Sequence, residues 1–121
     1  MKELKFVIHE HFSKRKHFDF RFQVNDHLES YAIPKGFPID KEKRLAIFVG
    51  ERPLSALTFE GTIAEGSYGA GRIVIWDSGI FQPSKCNDQK INFTLEGKRI
   101  NGRYTMIKLR NKDNWLIFKK A

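Results

Sequence analysis

At 121 residues the chain is long enough for one compact domain with a single core, and residues 1–121 are read as one such domain. The lone cysteine, Cys86, excludes an internal disulfide and a thiolate-rich metal site, and no apolar run is long enough to span a bilayer. Lys and Arg number 22 against 14 Asp and Glu, a formal net charge of +8 that fits a polyanionic partner, nucleic acid foremost. No helical stretch with a basic face is visible, which argues against a membrane-surface role. The start, Met1-Lys2-Glu3-Leu4-Lys5, lacks an apolar signal core, so a soluble, cytoplasmic protein is expected.

Eleven phenylalanines and many Ile and Val residues favour strands, and long helical periodicity is absent. The expectation is an all-β, mostly antiparallel sheet that closes or nearly closes. Leu4–His9 reads as a first strand, with His9 and His11 two apart and so on one face if the extended run persists. Ser13-Lys14-Arg15-Lys16 is a short basic loop. The next strand, His17-Phe18-Asp19-Phe20-Arg21-Phe22-Gln23, alternates polar and aromatic residues without a break. His17, Asp19 and Arg21 therefore share one face, spaced roughly 6.5 Å apart, and three phenylalanines share the other. Asn25-Asp26 is a two-residue turn signal, and His27–Ile33 is the returning strand, ended by Pro34 and Gly36-Phe37-Pro38.

Leu45–Val49 is an apolar run read as a buried strand, and residues 50–56 as a connector. Thr58–Gly61 leads into a segment marked by Gly66, Gly69 and Gly71, where positive φ is expected. Glu60 and Glu65 flank these turns, and backbone capping is at least as good a reading of them as catalysis. Arg72–Trp76 is a strand closed by Asp77-Ser78-Gly79. Cys86 falls in a stretch that reads as a loop, and further strands are expected near 91–95, 102–109 and 114–119.

Histidine and aspartate suit borderline divalent ions such as manganese, cobalt or zinc, and His11, Asp19 and His9 could converge if their strands are adjacent. Arg21 offers a planar fork for phosphate oxygens. Lys14, Arg15, Lys16, Lys35 and Arg52 add positive charge, and His17 could move a proton during phosphoryl transfer. No serine or cysteine sits in a nucleophile setting, so attack by water or a substrate hydroxyl is expected. The row thus suggests a metal-assisted phosphoesterase acting on nucleic acid.

The runs Phe6–His11 and His17–Arg21 resemble the opening of the 3′-phosphoesterase domain of bacterial DNA ligase D and its free-standing archaeal relatives. Tyr31–Gly36, Phe59–Gly71, Ile75–Gly79 and Trp115–Lys119 are similar to that family's later motifs, in order along nearly the whole chain. The resemblance implies a compact β-barrel of about eight strands with a crescent-shaped groove. It implies an enzyme that heals DNA 3′ ends by removing a terminal ribonucleoside and then the 3′-phosphate, with a divalent metal, typically manganese. On that pattern His11 and Asp19 match metal ligands, His17 and Arg21 match residues engaging the scissile phosphate, and Lys35 matches a further residue of the active-site region. DNA 3′ ends are the implied substrate, and a DNA ligase or polymerase the implied partner.

The chain departs from that pattern at Arg52, which stands before Pro53-Leu54 where the family has a third metal-ligating histidine, and at Ala56, where it has a tyrosine. His9 stands where the family usually has glutamine. An arginine stays protonated and cannot ligate a metal. Two readings follow. In one, His9 substitutes as third ligand and Arg52 grips phosphate, alongside Lys14 and Arg15. In the other, the site is impaired and the domain acts as a nucleic-acid-end-binding module.

Overall fold

The computed structural model describes residues 3–66 and 70–120. Nine strands run in the order β1 (Leu4–Phe12), β2 (His17–Val24), β3 (His27–Ile33), β4 (Lys43–Pro53), β5 (Gly61–Ile63), β6 (Gly71–Cys86), β7 (Lys90–Gly97), β8 (Asn101–Lys108) and β9 (Asn114–Lys119), with one 3-10 turn at Leu54–Thr58. All pairings are antiparallel. The order β1-β2-β3-β4-β9-β8-β7-β6 closes through a β1–β6 ladder into an eight-stranded barrel, with β5 added at the edge of β6. Closure removes the unpaired edges that an open sheet would expose. Among the described residues no helix is long and apolar enough to cross a membrane.

Alternation along the strands builds the core. Phe6 and Ile8 of β1, Phe20 and Phe22 of β2, and Tyr31 and Ile33 of β3 are buried inside the barrel with Phe93, Tyr104, Met106 and Ile117 from the far wall. Phe22 stacks on Tyr31 and Phe81, and Phe20 packs edge-on against Phe37. Each such ring removes enough apolar area from water to contribute about 2–3 kcal/mol. The turn at Asn25-Asp26 places Asn25 at φ 56, a conformation that asparagine tolerates better than most residues. That turn pairs Val24 with His27 and sets the whole β2–β3 register, including Arg21 opposite Ser30.

Several strands run further than expected. β1 continues past His9 to Phe12, because β2 on one side and β6 on the other both keep pairing with it. β4 extends through most of the expected connector: Gly50, at φ 107, carries the chain past a register shift, and Glu51, Arg52 and Pro53 pair on with β3. Asp77-Ser78-Gly79 does not close β6. The strand bends there, at a register shift against β1, and runs on to Cys86, which is an exposed strand end and not a loop residue. Gly66 and Gly71 have the expected positive φ, whereas Gly69 lies outside the described residues, as do Ser67 and Tyr68 of the same motif.

Candidate active site

The polar face of β2 does not face open solvent. Asp19 and Arg21 are 4% and 8% exposed. They lie in the wall of an open cleft of about 1240 Å³ on the outside of the barrel, bounded by β1, β2, β3, β4 and the segment from β5 to β6. His11, Lys14, His17, Asp19, Arg21 and Arg52 all line it.

Register brings the first three titratable groups together. His11 on β1 pairs directly with His17 on β2, and Asp19 follows two residues on, on the same face. His11 Nδ1 and His17 Nε2 each lie 3.3 Å from a different oxygen of the Asp19 carboxylate. Each ring is held from behind by a backbone carbonyl: His11 Nε2 donates to Ala70 at 3.0 Å, and His17 Nδ1 donates to Arg15 at 3.0 Å. A neutral imidazole carries one proton, and here both are committed to the outer nitrogens. The inner nitrogens therefore present lone pairs to a carboxylate, an arrangement satisfied only by an added proton or a cation between them. Imidazoles tethered in this way by their outer nitrogen are the usual backing of metal-ligating histidines. The three donor groups lie within 4.8 Å of one another, so the donor set fits a divalent ion.

The electrostatics agree. The hydrogen bond to Asp19 raises the His17 pKa above its ordinary value, against the effect of burial. Burial pushes the Asp19 carboxyl upward, but the His17 hydrogen bond and the Arg21, His17 and His11 charges outweigh it and hold its pKa below the usual value.

Arg21 is fixed at three points. Its Nε donates to Ser30 Oγ at 3.0 Å, its Nη1 donates to His9 Nδ1, and its Nη2 stands 3.6 Å from Asp19. Burial and the nearby Arg52 charge both lower the Arg21 pKa. Two guanidinium groups thus share the cleft, a pairing that an anion would relieve. Arg52 Nη1 donates to its own strand, to the Glu51 carbonyl at 2.9 Å.

His9 lies directly opposite Asp19 in the β1–β2 register, as the ligand reading expects, but its ring nitrogens are engaged by other partners. It is fully buried; its Nε2 donates to the Phe59 carbonyl at 2.9 Å while Nδ1 accepts from Arg21. Both nitrogens are occupied, so His9 braces Arg21, and the candidate donor cluster is His11, His17 and Asp19. Lys35 is exposed in the turn after β3 and does not line the cleft. Arg15 is likewise exposed, and it reaches the site through its backbone carbonyl, not its charge. Glu60 accepts from the Ile75 N–H at 2.8 Å, the structural reading of that residue. Sequence reasoning missed Ser30, although the two-residue turn already implied its place opposite Arg21. It also missed the carbonyls of Ala70, Arg15 and Phe59, which carry no side-chain signal at all.

The amino-acid sequence matches a known family model, described as the DNA ligase D 3′-phosphoesterase domain, over residues 9–108. The chain belongs to that family. Among curated proteins it is 43% identical over 116 residues to the multifunctional non-homologous end joining DNA repair protein LigD of Mycobacterium tuberculosis, covering 92% of this chain. It is 40% identical over 124 residues to multifunctional non-homologous end joining protein LigD of Mycolicibacterium smegmatis, covering 93% of this chain, and 36% over 125 residues to that of Pseudomonas aeruginosa, covering 96%. The alignments take in only 15 to 16% of those relatives' own length. The family model begins at His9 and thus takes in His11, His17, Asp19, Arg21 and Arg52, which line the cleft.

Proposed function

We propose that this domain is a divalent-metal-dependent phosphoesterase that heals DNA 3′ ends, removing a terminal ribonucleoside and then the 3′-phosphate to leave a 3′-hydroxyl. The observation that carries the reading is the pair of back-tethered imidazoles facing one buried carboxylate beside two guanidinium groups. Family membership and the end-joining and DNA-repair names of the relatives support it.

His11 Nδ1, His17 Nε2 and Asp19 would hold the metal, and a histidine–carboxylate set suits manganese or zinc. The ion would supply positive charge against the phosphate oxygens. The chain's own residues do the rest. Arg21, immobilised by Ser30 and His9, presents its remaining N–H groups in a fixed orientation to the phosphate, so little order is lost on binding. Arg52 and Lys14, which also line the cleft, add positive charge. Water attacks phosphorus and gives up a proton to solvent, the bond from phosphorus to the departing oxygen breaks, and that oxygen takes up a proton from solvent, so that one water is consumed per ester cleaved. A cytoplasmic location and a ligase that seals the resulting 3′-hydroxyl are the setting this reading implies.

The test is incubation of the purified protein and manganese with DNA strands ending in a 3′-phosphate or a 3′-ribonucleotide. The expected outcome is conversion to the 3′-hydroxyl, lost by at least about a hundredfold in folded Asp19→Ala. Absence of product from the folded wild-type protein overturns the reading. Arg52 favours a second one, an end-binding module, because a guanidinium gives up no proton near neutral pH. A protein that binds 3′ ends without turning them over, and gains turnover in Arg52→His, would establish that alternative.

A further inference from the structure

A second cluster of ligand groups lies on the opposite side of the β3–β4 ladder. His27 and Glu29 are two residues apart on β3, so their side chains leave the same face. Glu29 pairs directly with Glu51 on β4. Two carboxylates facing each other across an antiparallel pair repel unless something positive stands between them. His27 Nε2 lies 3.5 Å from Glu51 Oε2 and 3.8 Å from Glu29 Oε2. Both separations are within ion-pair reach but longer than a normal hydrogen bond. That nitrogen is shielded from solvent and is one of only two buried side-chain polar atoms without a hydrogen-bond partner among the described residues. The other ring nitrogen, Nδ1, lies 3.6 Å from the exposed Asp26 carboxylate.

These distances have a simple meaning. Donors held at about 2.1 Å around a tetrahedral ion lie about 3.4 Å from one another. The three donor atoms of His27, Glu29 and Glu51 fall within 4.8 Å of each other. One imidazole and two carboxylates are three protein ligands, leaving a fourth position for water. We propose that His27, Glu29 and Glu51 form a second divalent-cation site, selective for a borderline ion such as zinc, that clips β3 to β4. It is separate from the cleft: Ser30 and Arg52, the neighbours of Glu29 and Glu51, turn the other way, Ser30 to meet Arg21 and Arg52 to line the cleft. The ion would therefore brace the ladder that carries those two residues.

The test is calorimetric titration of zinc into Asp19→Asn, in which the cleft cluster is disabled, with the His27 ring followed by NMR. The expected result is saturable uptake of about one equivalent, with the His27 ring signals shifting in step. His27→Gln in that background should weaken uptake at least tenfold. Glu51→Gln, at a mostly exposed position where folding is not at risk, should do the same. The proposal is overturned if Asp19→Asn takes up no zinc, or if uptake is indifferent to both His27→Gln and Glu51→Gln. Wild-type protein that binds zinc only through His27 and Glu51 would refute a metal in the cleft and leave this site standing.

Discussion

An imidazole whose two nitrogens both serve as hydrogen-bond partners has no place for a second proton. Burial first, and then the Arg21 charge, push the His9 pKa down to about 4. In the unfolded chain it returns to about 6.5. Between those values the unfolded state binds a proton that the folded state does not, so stability falls as pH drops from about 6.5 toward 4 and is unaffected by this group above that window. His17 works in the opposite sense, because its folded pKa is raised: its contribution is present below 6.5 and is lost as pH rises through the folded value. An NMR titration should therefore show His9 neutral to about pH 4, and a midpoint near 6 would refute the assignment. His9→Gln should keep the fold, since an amide can donate to the Phe59 carbonyl and accept from Arg21, while abolishing this acid-side loss. His9→Leu leaves Arg21 Nη1 and the Phe59 carbonyl unpartnered and should cost about 2–4 kcal/mol in chemical denaturation.

The bend in β6 is organised by one carboxylate. Asp77 is 4% exposed, and its two oxygens accept from the backbone N–H groups of Ser78, Lys98, Arg99 and Ile100 at 2.8 to 3.1 Å. It thereby satisfies the turn between β7 and β8, whose donors have little alternative once Ile100 is buried. Gly97 and Gly79 leave the room this needs: a Cβ on Gly97 would stand 2.3 Å from Asp77 Oδ2, and one on Gly79 would stand 1.9 Å from the Glu96 carbonyl. Asp77→Ala should destabilise the barrel by about 3 kcal/mol, and Gly97→Ala by a similar amount through the same contact. Urea denaturation measures both, and a change below about 0.5 kcal/mol in either would remove Asp77 from this role. Read along the chain, Asp77-Ser78-Gly79 has the composition of a turn. It serves a turn, but one 21 to 23 residues further along the chain, and that displacement is invisible to a local reading.

For the molecule as a whole, the +8 charge matters through its placement. Lys14, Arg21 and Arg52 line the cleft together with His11, His17 and Asp19. A strand of DNA crossing it would displace counterions. With about four phosphates engaged, affinity for single-stranded DNA should fall by more than about tenfold between 50 and 200 mM salt. Arg52→Ala should flatten that dependence, whereas Lys35→Ala, outside the cleft, should leave it nearly unchanged. Fluorescence anisotropy at several salt concentrations decides this, and a salt-independent affinity would contradict a phosphate-tracking cleft.

The amino-acid sequence by itself determined the all-β class, the β2–β3 hairpin and the inner and outer faces of β2, because period-two alternation and a two-residue turn are local facts. The hairpin's register already held Ser30 opposite Arg21 and His27 beside Glu29. The residue types of the cleft wall were also legible, since His17, Asp19 and Arg21 alternate on one face of β2. Which histidine faces Asp19 was decided only by the tertiary structure. The β1–β2 register, set across a four-residue loop, puts His9 directly opposite Asp19, so the choice between His9 and His17 depends on ring orientation: the Phe59 and Ala70 carbonyls come from distant segments, and the Arg15 carbonyl from the loop itself. Backbone carbonyls are alike in every residue, so a ring's orientation toward one of them leaves no trace until the barrel closes.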